Sequence, residues 1–458
     1  MKIIDSVAAV FCHEHHLFAV RRQAHLDAFP GYDSFPGGKV DRTDPEEPRT
    51  EPMLQGLDGK QAHALIREMQ EELQFDLPTE IASGRVTHVV PMAKALAPAL
   101  VPVRFRLHFF RINLQERPPF VPDFGEFAET FWKTPQELLN QFRSGDSMMV
   151  PPMRWVLEAL ERTPDAEDLG DLSPQYDEEL HVPKLETISE VRMLAVPSNT
   201  VPPATRTNAF LLGDEDAPRV LLDPSPASSE VLEKLLRTLE NERVDRIFLT
   251  HHHPDHHEFA PELALRLQVP ISLSAQTHRF ILEKHGPDYF SPEVPGSPPQ
   301  PCIPLEFVEE GDILTRWKGE PVRVHAVPGH DAGQLALAPD SLRWFIVGDL
   351  IQGIGTVVIG EPEGDMATYF QTLEKVIALA PEVIIPSHGM PMRSTFRLQA
   401  TLQHRREREE AICELTRSGK SEEEVLHVLY QGVDSRLFPF ALKNIRSHLK
   451  KLRAEGRL

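Results

Sequence analysis

The feature that most limits how this chain can fold is the run LTHHHPDHH, residues 249–257, which follows directly on the apolar segment RIF. In extended backbone, alternate side chains share a face, so His251 and His253 point the same way and can share one cation. Asp255 and His256 then address a neighbouring position. Three further apolar runs end in the same kind of residue: VRVHAVPGH at His330, RWFIVGD at Asp349 and EVIIPSH at His388. A histidine-rich tract that merely scavenges metal has no need of those distant strand ends. The expectation is therefore two adjoining cation sites, His251, His253 and His330 on one and Asp255, His256 and His388 on the other, with Asp349 between them. An imidazole and carboxylate set without thiolate favours zinc, ahead of manganese or iron. His252, His257 and His325 are left as spectators or as supports of the ligands.

At 458 residues the chain exceeds what one core organises, and two or three folded units are expected. Boundaries are read at 1–163, 164–189, 190–400 and 401–458. The second of these, containing PDAEDLGDLSPQYDEELHVPK, is acidic, bears proline and lacks apolar periodicity, and so reads as a linker. In the first, β-branched and aromatic runs over Ile3–Val20 and Val86–Ile112 flank a helix over Gln61–Leu73, with two helices following at Thr134–Phe142 and Met153–Glu161. In the third, strands and helices alternate. The last holds about three helices, one opened by the capping box SEEE at Ser421–Glu424. A formal net charge of −21 opposes a whole-surface grip on nucleic acid or an anionic membrane. The three cysteines, Cys12, Cys302 and Cys413, lie outside any CxxC spacing, which fits a reducing compartment. With the first apolar run broken at His13–His16, a cytoplasmic location and no membrane partner are expected. Oligomeric state is not legible.

Residues 35–41, FPGGKVD, and 67–73, REMQEEL, carry a second constellation. On a helix Glu68, Glu71 and Glu72 share one face and offer hard oxygen ligands to magnesium or manganese, with Ala62, Leu65, Ile66, Met69 and Leu73 on the apolar side. This pair of segments resembles the two ends of a Nudix box. The resemblance implies substrate binding by Gly37, Gly38 and Arg67, catalysis by Glu71 and Glu72, and cleavage of a nucleoside diphosphate linked to a second group, such as a coenzyme A-like nucleotide. The sequence departs from the box in the inserted loop DPEEPRTEPMLQGLDG and in Gln74, where the family has glycine.

The His/Asp set resembles the metallo-β-lactamase superfamily from about Val191 onward, with Thr207, Asn208 and Asp223 in its early strands. The tail is similar to the winged helix of lactamase-beta-2-like hydrolases. The resemblance implies a fold of mixed α/β and α+β class: a Nudix-type α/β/α sandwich, an αββα sandwich and a small winged helix. It also implies that Asp223 orients a ligand histidine and that Asp255 orients the attacking water and takes its proton. A pair of divalent cations acidifies a shared water and polarises the bond under attack. After the Asp–His pair the family carries glycines, where this chain has His257, Glu258 and Phe259.

Two substrate classes follow for the C-terminal half. Basic residues of the tail (Arg405, Arg406, Arg408, Lys443, Arg446, Lys450, Lys451 and Arg453) would suit single-stranded RNA. A coenzyme A link to the N-terminal half would suit a thioester, and net acidity favours that small-molecule reading. Two other classes of answer stand beside these: a non-catalytic nucleotide sensor in the N-terminal half that gates the hydrolase, or an RNA-binding scaffold.

Overall fold

A computed structural model describes residues 2–98, 103–174, 177–291 and 302–458. The run expected over Val86–Ile112 and the acidic stretch 164–189 thus each contain positions, 99–102 and 175–176, that lie outside the described residues. The chain divides into two compact units, Met1–Glu179 with Leu185–Arg192, and Leu180–Lys184 with Met193–Leu458. No helix among the described residues is long and apolar enough to cross a membrane.

In the first unit, strand Lys2–His13 pairs in parallel with Val103–Leu114 and turns back into His16–Arg22. Its side chains alternate, as a strand's must. Val7, Ala9 and Phe11 pack with Ala64, Leu65, Met69 and Leu73 of helix Gly59–Leu73. Ala8, Val10 and Cys12 pack on the opposite side with Leu138 and Phe142 of Pro135–Ser144 and Val156 and Leu157 of Pro151–Arg162. A strand apolar on both faces has to be covered on both, which gives the α/β/α sandwich.

The second unit holds two mixed sheets. One runs in the order Leu305–Phe307, Ile271–Leu273, Arg246–Phe248, Val220–Leu222, Arg206–Leu212 and Val191–Pro197, the other from Ile313–Trp317 through Glu320–Ala326, Leu335–Pro339, Phe345–Gly348 and Val383–Pro386 to Met392–Arg393. Helices Ser229–Leu239, Ala260–Leu267 and Ala275–His285 bury apolar residues against the first sheet. Met366–Leu379 and the start of Phe396–Arg417 cover the second. Backbone bonds from Asn208 N to Ser387 O (2.8 Å) and Leu335 N to Thr250 O (2.9 Å) tie the sheets together. Each backbone bond places a site-bearing loop next to the other sheet.

Two features differ from the expected layout. The acidic stretch is not bare linker: Gly170–Asp171 pairs with Ala93–Lys94, and Lys184–Ile188 is a strand. Its sparse apolar residues explain this, since Leu169 and Leu172 pack into the first unit's core and Val182 into the second's. The boundary at 400 falls inside one continuous helix, Phe396–Arg417, whose Leu398 and Leu402 belong to the core beneath the second sheet while Ile412 and Cys413 belong to the C-terminal core. With Glu422–Leu429 and Phe438–Ala454 it makes the three expected helices, and Ser421 and Glu424 form the capping box.

Candidate metal centre

Parallel pairing sets up the site. Because Leu222 lies beside Phe248, the next residues, Asp223 and Leu249–Thr250, emerge together at one sheet edge. Phe345–Gly348 and Val383–Pro386 are likewise parallel, so Asp349 and His388 leave the other sheet side by side. His253 caps a four-residue helix, Pro254–His257, which begins with proline where a missing N–H costs nothing. Asp255 and His256 thus come from a helical turn, whereas His251 and His253 precede it.

Three imidazole nitrogens converge: His253 Nδ1 stands 3.0 Å from His251 Nε2 and 2.9 Å from His330 Nε2. Beside them Asp349 lies 3.7 Å from His256 Nε2, 3.4 Å from His388 Nε2 and 3.9 Å from His330 Nε2, and Asp255 lies 3.4 Å from His388 Nε2. All seven expected ligands are therefore brought to one place. Ligand atoms of His251, His253 and His330, of His251, His256 and Asp349, and of Asp255, His256 and His388 each lie within 4.8 Å of one another.

The donor set fits divalent cations on two observations. His256 Nε2, His388 Nε2 and Asp349 Oδ1 are buried without any hydrogen-bond partner, although buried polar atoms are almost always paired. Meanwhile the far ring nitrogens of three of these histidines are held: His256 Nδ1 donates to Asp223 (2.8 Å), His330 Nδ1 to Val358 O (2.8 Å) and His388 Nδ1 to Arg206 O (2.8 Å). Rings fixed in this way present their free lone pairs to the centre. The electrostatics agree. Burial, reinforced by the histidine at 253, pulls His330 down to about 4. Burial works against a charged His388 as well, but Asp349 and Asp255 overcome it and push the ring up to about 10. The carboxylates thus favour positive charge at this spot.

Asp223, fully buried, does more than orient His256: it accepts from Thr250 N (2.8 Å) and Thr250 Oγ1 (2.7 Å), so it also fixes the start of the histidine run. Thr207 Oγ1 meets Ser198 Oγ at 2.8 Å, and Asn208 donates to Pro386 O (3.1 Å) and Gly389 O (2.7 Å), holding the turn that carries His388. Of the three histidines left as spectators, His252 joins His253 and Asp331 in a further group whose ligand atoms lie within 4.8 Å of one another, whereas His257 and His325 take no place in the converging set. His252 contacts Asp331, His257 lies between His252 O (2.9 Å) and Tyr289 Oη (2.6 Å), and His325 rests on Phe345. Phe259 adopts a left-handed backbone (φ +58°), a conformation that costs a non-glycine residue about 1–3 kcal/mol.

Sequence reasoning missed Glu363, whose Oε1 lies 3.7 Å from His253 Nε2, and Asp331, although GHDAG sets the latter beside His330. A cavity of about 260 Å³ opens on the cluster, lined by His253, Asp255, His330, Asp349, Glu363 and, from helix Phe438–Ala454, Phe440 and Lys443. Lys443 is the one lysine or arginine among the described lining residues.

In the first unit the carboxylates are arranged otherwise. Arg67 donates to Asp44 (3.1 Å), Glu68 (2.8 Å), Glu71 (3.1 Å) and Lys39 O (2.9 Å), so its guanidinium is engaged within the helix and loop. Glu72 accepts from Gly37 N at 2.8 Å, and its burial pushes its carboxyl well above the usual range. Burial likewise raises Glu68, against the pull of Arg67. Glycine is required at 37, where φ is +143° and a Cβ would stand 2.1 Å from Val7 O, whereas at 38 a Cβ would meet only the carboxylate end of Glu68. Among the described residues Glu68, Glu71 and Glu72 do not converge as a metal-sized cluster.

Comparison with known proteins agrees with this division. Residues 2–156 match the NUDIX domain, 202–388 the metallo-beta-lactamase superfamily and 421–458 the beta-lactamase associated winged helix domain. A beta-lactamase-like protein 2 homolog of Drosophila melanogaster is 29% identical over 262 residues, 55% of this chain and 84% of that protein. A hydroxyacylglutathione hydrolase of Cereibacter sphaeroides is 31% identical over 206 residues, 44% of this chain and 70% of that enzyme. A solved beta-lactamase domain protein from Burkholderia ambifaria superposes with a TM-score of 0.48 at 25% identity, covering 60% of this chain and 88% of the other. The chain is a hydrolase that belongs to the metallo-beta-lactamase superfamily, with a NUDIX domain before that fold and a beta-lactamase associated winged helix domain after it.

Proposed function

We propose that the second unit is a dinuclear-zinc hydrolase of acyl thioesters bearing an anionic group, and that the first is a magnesium- or manganese-dependent nucleoside-diphosphate-X pyrophosphatase. The observation that carries the first reading is the convergence of three imidazole nitrogens beside buried, unpartnered atoms of His256, His388 and Asp349. His251, His253 and His330 would hold one cation and Asp255, His256 and His388 the other, with Asp349 shared. When bound, such a pair supplies Lewis acidity to the carbonyl and lowers the pKa of water. Asp255, which lines the cavity and is held anionic by His256 and His388 despite its burial, orients the attacking water and takes its proton. Water adds to the acyl carbon, the carbon–sulfur bond breaks, and the products are an acid and a thiol.

Two observations favour a thioester over RNA. Relatives of this half include hydroxyacylglutathione hydrolases and an atrochrysone carboxyl ACP thioesterase. The basic residues of the tail are largely matched: Arg406 by Glu374, Arg446 by Glu422, Lys450 by Glu361 and Lys451 by Glu409, while Arg405 and Arg408 donate to backbone carbonyls. Lys443, facing the cavity, suits a carboxylate or phosphate on a small substrate. A coenzyme A-type thioester carries a bond for each activity, an acyl thioester for the second unit and a pyrophosphate for the first. The test is turnover by the zinc-loaded full chain of acetyl-coenzyme A, 3-(acetylthio)propionate and a single-stranded oligoribonucleotide. Thioester turnover with intact RNA is expected, and RNA cleavage without thioester turnover overturns the reading. For the first unit, pyrophosphate-bond cleavage lost in Glu71→Gln and Glu72→Gln with nucleotide still bound supports an enzyme, whereas a wild type that binds nucleotide without turnover makes it a sensor.

A further inference from the structure

His330 turns Nε2 to the cluster and donates from Nδ1 to the carbonyl of Val358. That carbonyl shares one planar peptide unit with the N–H of Ile359, so the orientation of either fixes the other. The Ile359 N–H donates at 2.8 Å to Oδ1 of Asn444, on helix Phe438–Ala454, and both residues are buried. One residue earlier, Val357 O accepts from Arg405 of helix Phe396–Arg417, whose guanidinium lies 5.8 Å from the centre of the Tyr369 ring. One residue later, a Cβ on Gly360 would stand 3.0 Å from Lys443 Cβ, so the last helix lies directly on this loop. Lys450 then pairs with Glu361 at 2.6 Å. The loop 357–361 is thus gripped by two helices that lie beyond the 202–388 match.

We propose that Asn444 is a positioning residue for His330, acting through the Val358–Ile359 peptide, and that the C-terminal helices are a working part of the metal centre. The inference rests on His330 being a ligand. Holding the Nδ1–H leaves the lone pair on Nε2, and holding the acceptor fixes the ring plane. Without the Asn444 oxygen the Ile359 N–H is buried with no acceptor, and the peptide has to turn or shift toward water to find one. The Val358 carbonyl turns with it, and His330 loses the partner that sets its tautomer.

The test compares wild type, Asn444→Leu, which keeps the volume and removes the acceptor, and Asn444→Asp, which keeps an acceptor oxygen. Zinc affinity is read by chelator competition on the full chain, and ligand geometry by the visible spectrum of the cobalt-loaded form. Asn444→Leu is expected to weaken the site containing His330 by about 10- to 100-fold and to alter the cobalt spectrum, with Asn444→Asp close to wild type. Should Asn444→Leu fail to fold, nitrogen-15 histidine spectra of the zinc-loaded wild type give the answer. There a slowly exchanging His330 Nδ1–H, assigned by its loss in His330→Gln, is expected, and a fast-exchanging or absent one overturns the proposal. Equal affinity in wild type and Asn444→Leu, or equal loss in Asn444→Leu and Asn444→Asp, also overturns it and leaves the metal site standing. A wild type that binds no zinc or cobalt removes the ligand reading itself, and this inference with it.

Discussion

Replacing Asp223 by alanine should both loosen the second unit and weaken its hold on metal. The carboxylate is wholly buried and meets three donors, Thr250 N, Thr250 Oγ1 and His256 Nδ1, at 2.7–2.8 Å. The hydroxyl can rotate to another acceptor, but the other two donors are fixed. Removing one member of a buried charged pair costs about 3–5 kcal/mol. Counted instead as two stranded donors at about 1–3 kcal/mol each, the loss overlaps that range; about 4 kcal/mol is expected. The assay is urea unfolding of metal-stripped full-length protein followed by tryptophan fluorescence. Trp317 and Trp344, both buried with ring centroids 5.7 Å apart, report on this unit once Trp132 and Trp155 are changed to phenylalanine. Zinc affinity should fall by about 10- to 100-fold as well, because His256 loses the partner that aims it. A stability loss below about 1 kcal/mol, the size of an ordinary neutral hydrogen bond, would show that Asp223 is not the clamp described.

Other consequences can be checked separately. Glu409 is buried and bonded to His448 (3.0 Å) and Lys451 (2.7 Å); burial pushes its carboxyl up, but these partners win and hold it below the ordinary value of 4.5. Its folded pKa lies below the unfolded one, so its contribution is complete above about pH 4.5 and lost as pH falls through the folded value; Glu409→Gln should flatten that acid limb in thermal melts of the C-terminal helices. Lys443→Met should raise KM for 3-(acetylthio)propionate about tenfold, the size of one charge-assisted hydrogen bond, with 3-(acetylthio)propanamide unaffected; equal change for both refutes the anion contact. Gly38→Ala sets a methyl against the Glu68 carboxylate, which has to move aside, and should lower pyrophosphatase turnover while thioester turnover persists, measured side by side on one preparation.

The seven converging residues were legible because the chemistry expected of them needs particular residue types and the strands that deliver them are apolar runs of β-branched residues with abrupt polar ends. Spacing alone could not place Asp255 and His256 on a helical turn, since Pro254 is compatible with an extended segment and with a first helical position alike. Sequence was weakest where support comes from backbone: nothing in VVIG marks the Val358 carbonyl as the partner of His330, and nothing in LKNI marks Asn444 as its neighbour. Acidic composition likewise hid Leu169, Leu172 and Val182, single apolar anchors without periodicity that turn an expected linker into packed structure. In the N-terminal box the residue types were readable, but the engagement of Arg67 with Asp44 depends on how the inserted loop returns.

Whether seven side chains from two sheets clasp a pair of cations can be decided by anomalous diffraction at the zinc edge from crystals of the zinc-loaded full chain. Two peaks a few ångströms apart are expected, one among His251, His253 and His330 and one among Asp255, His256 and His388, with Asp349 reaching both. Peaks elsewhere on the molecule, or none within that cluster at full zinc loading, would contradict that arrangement.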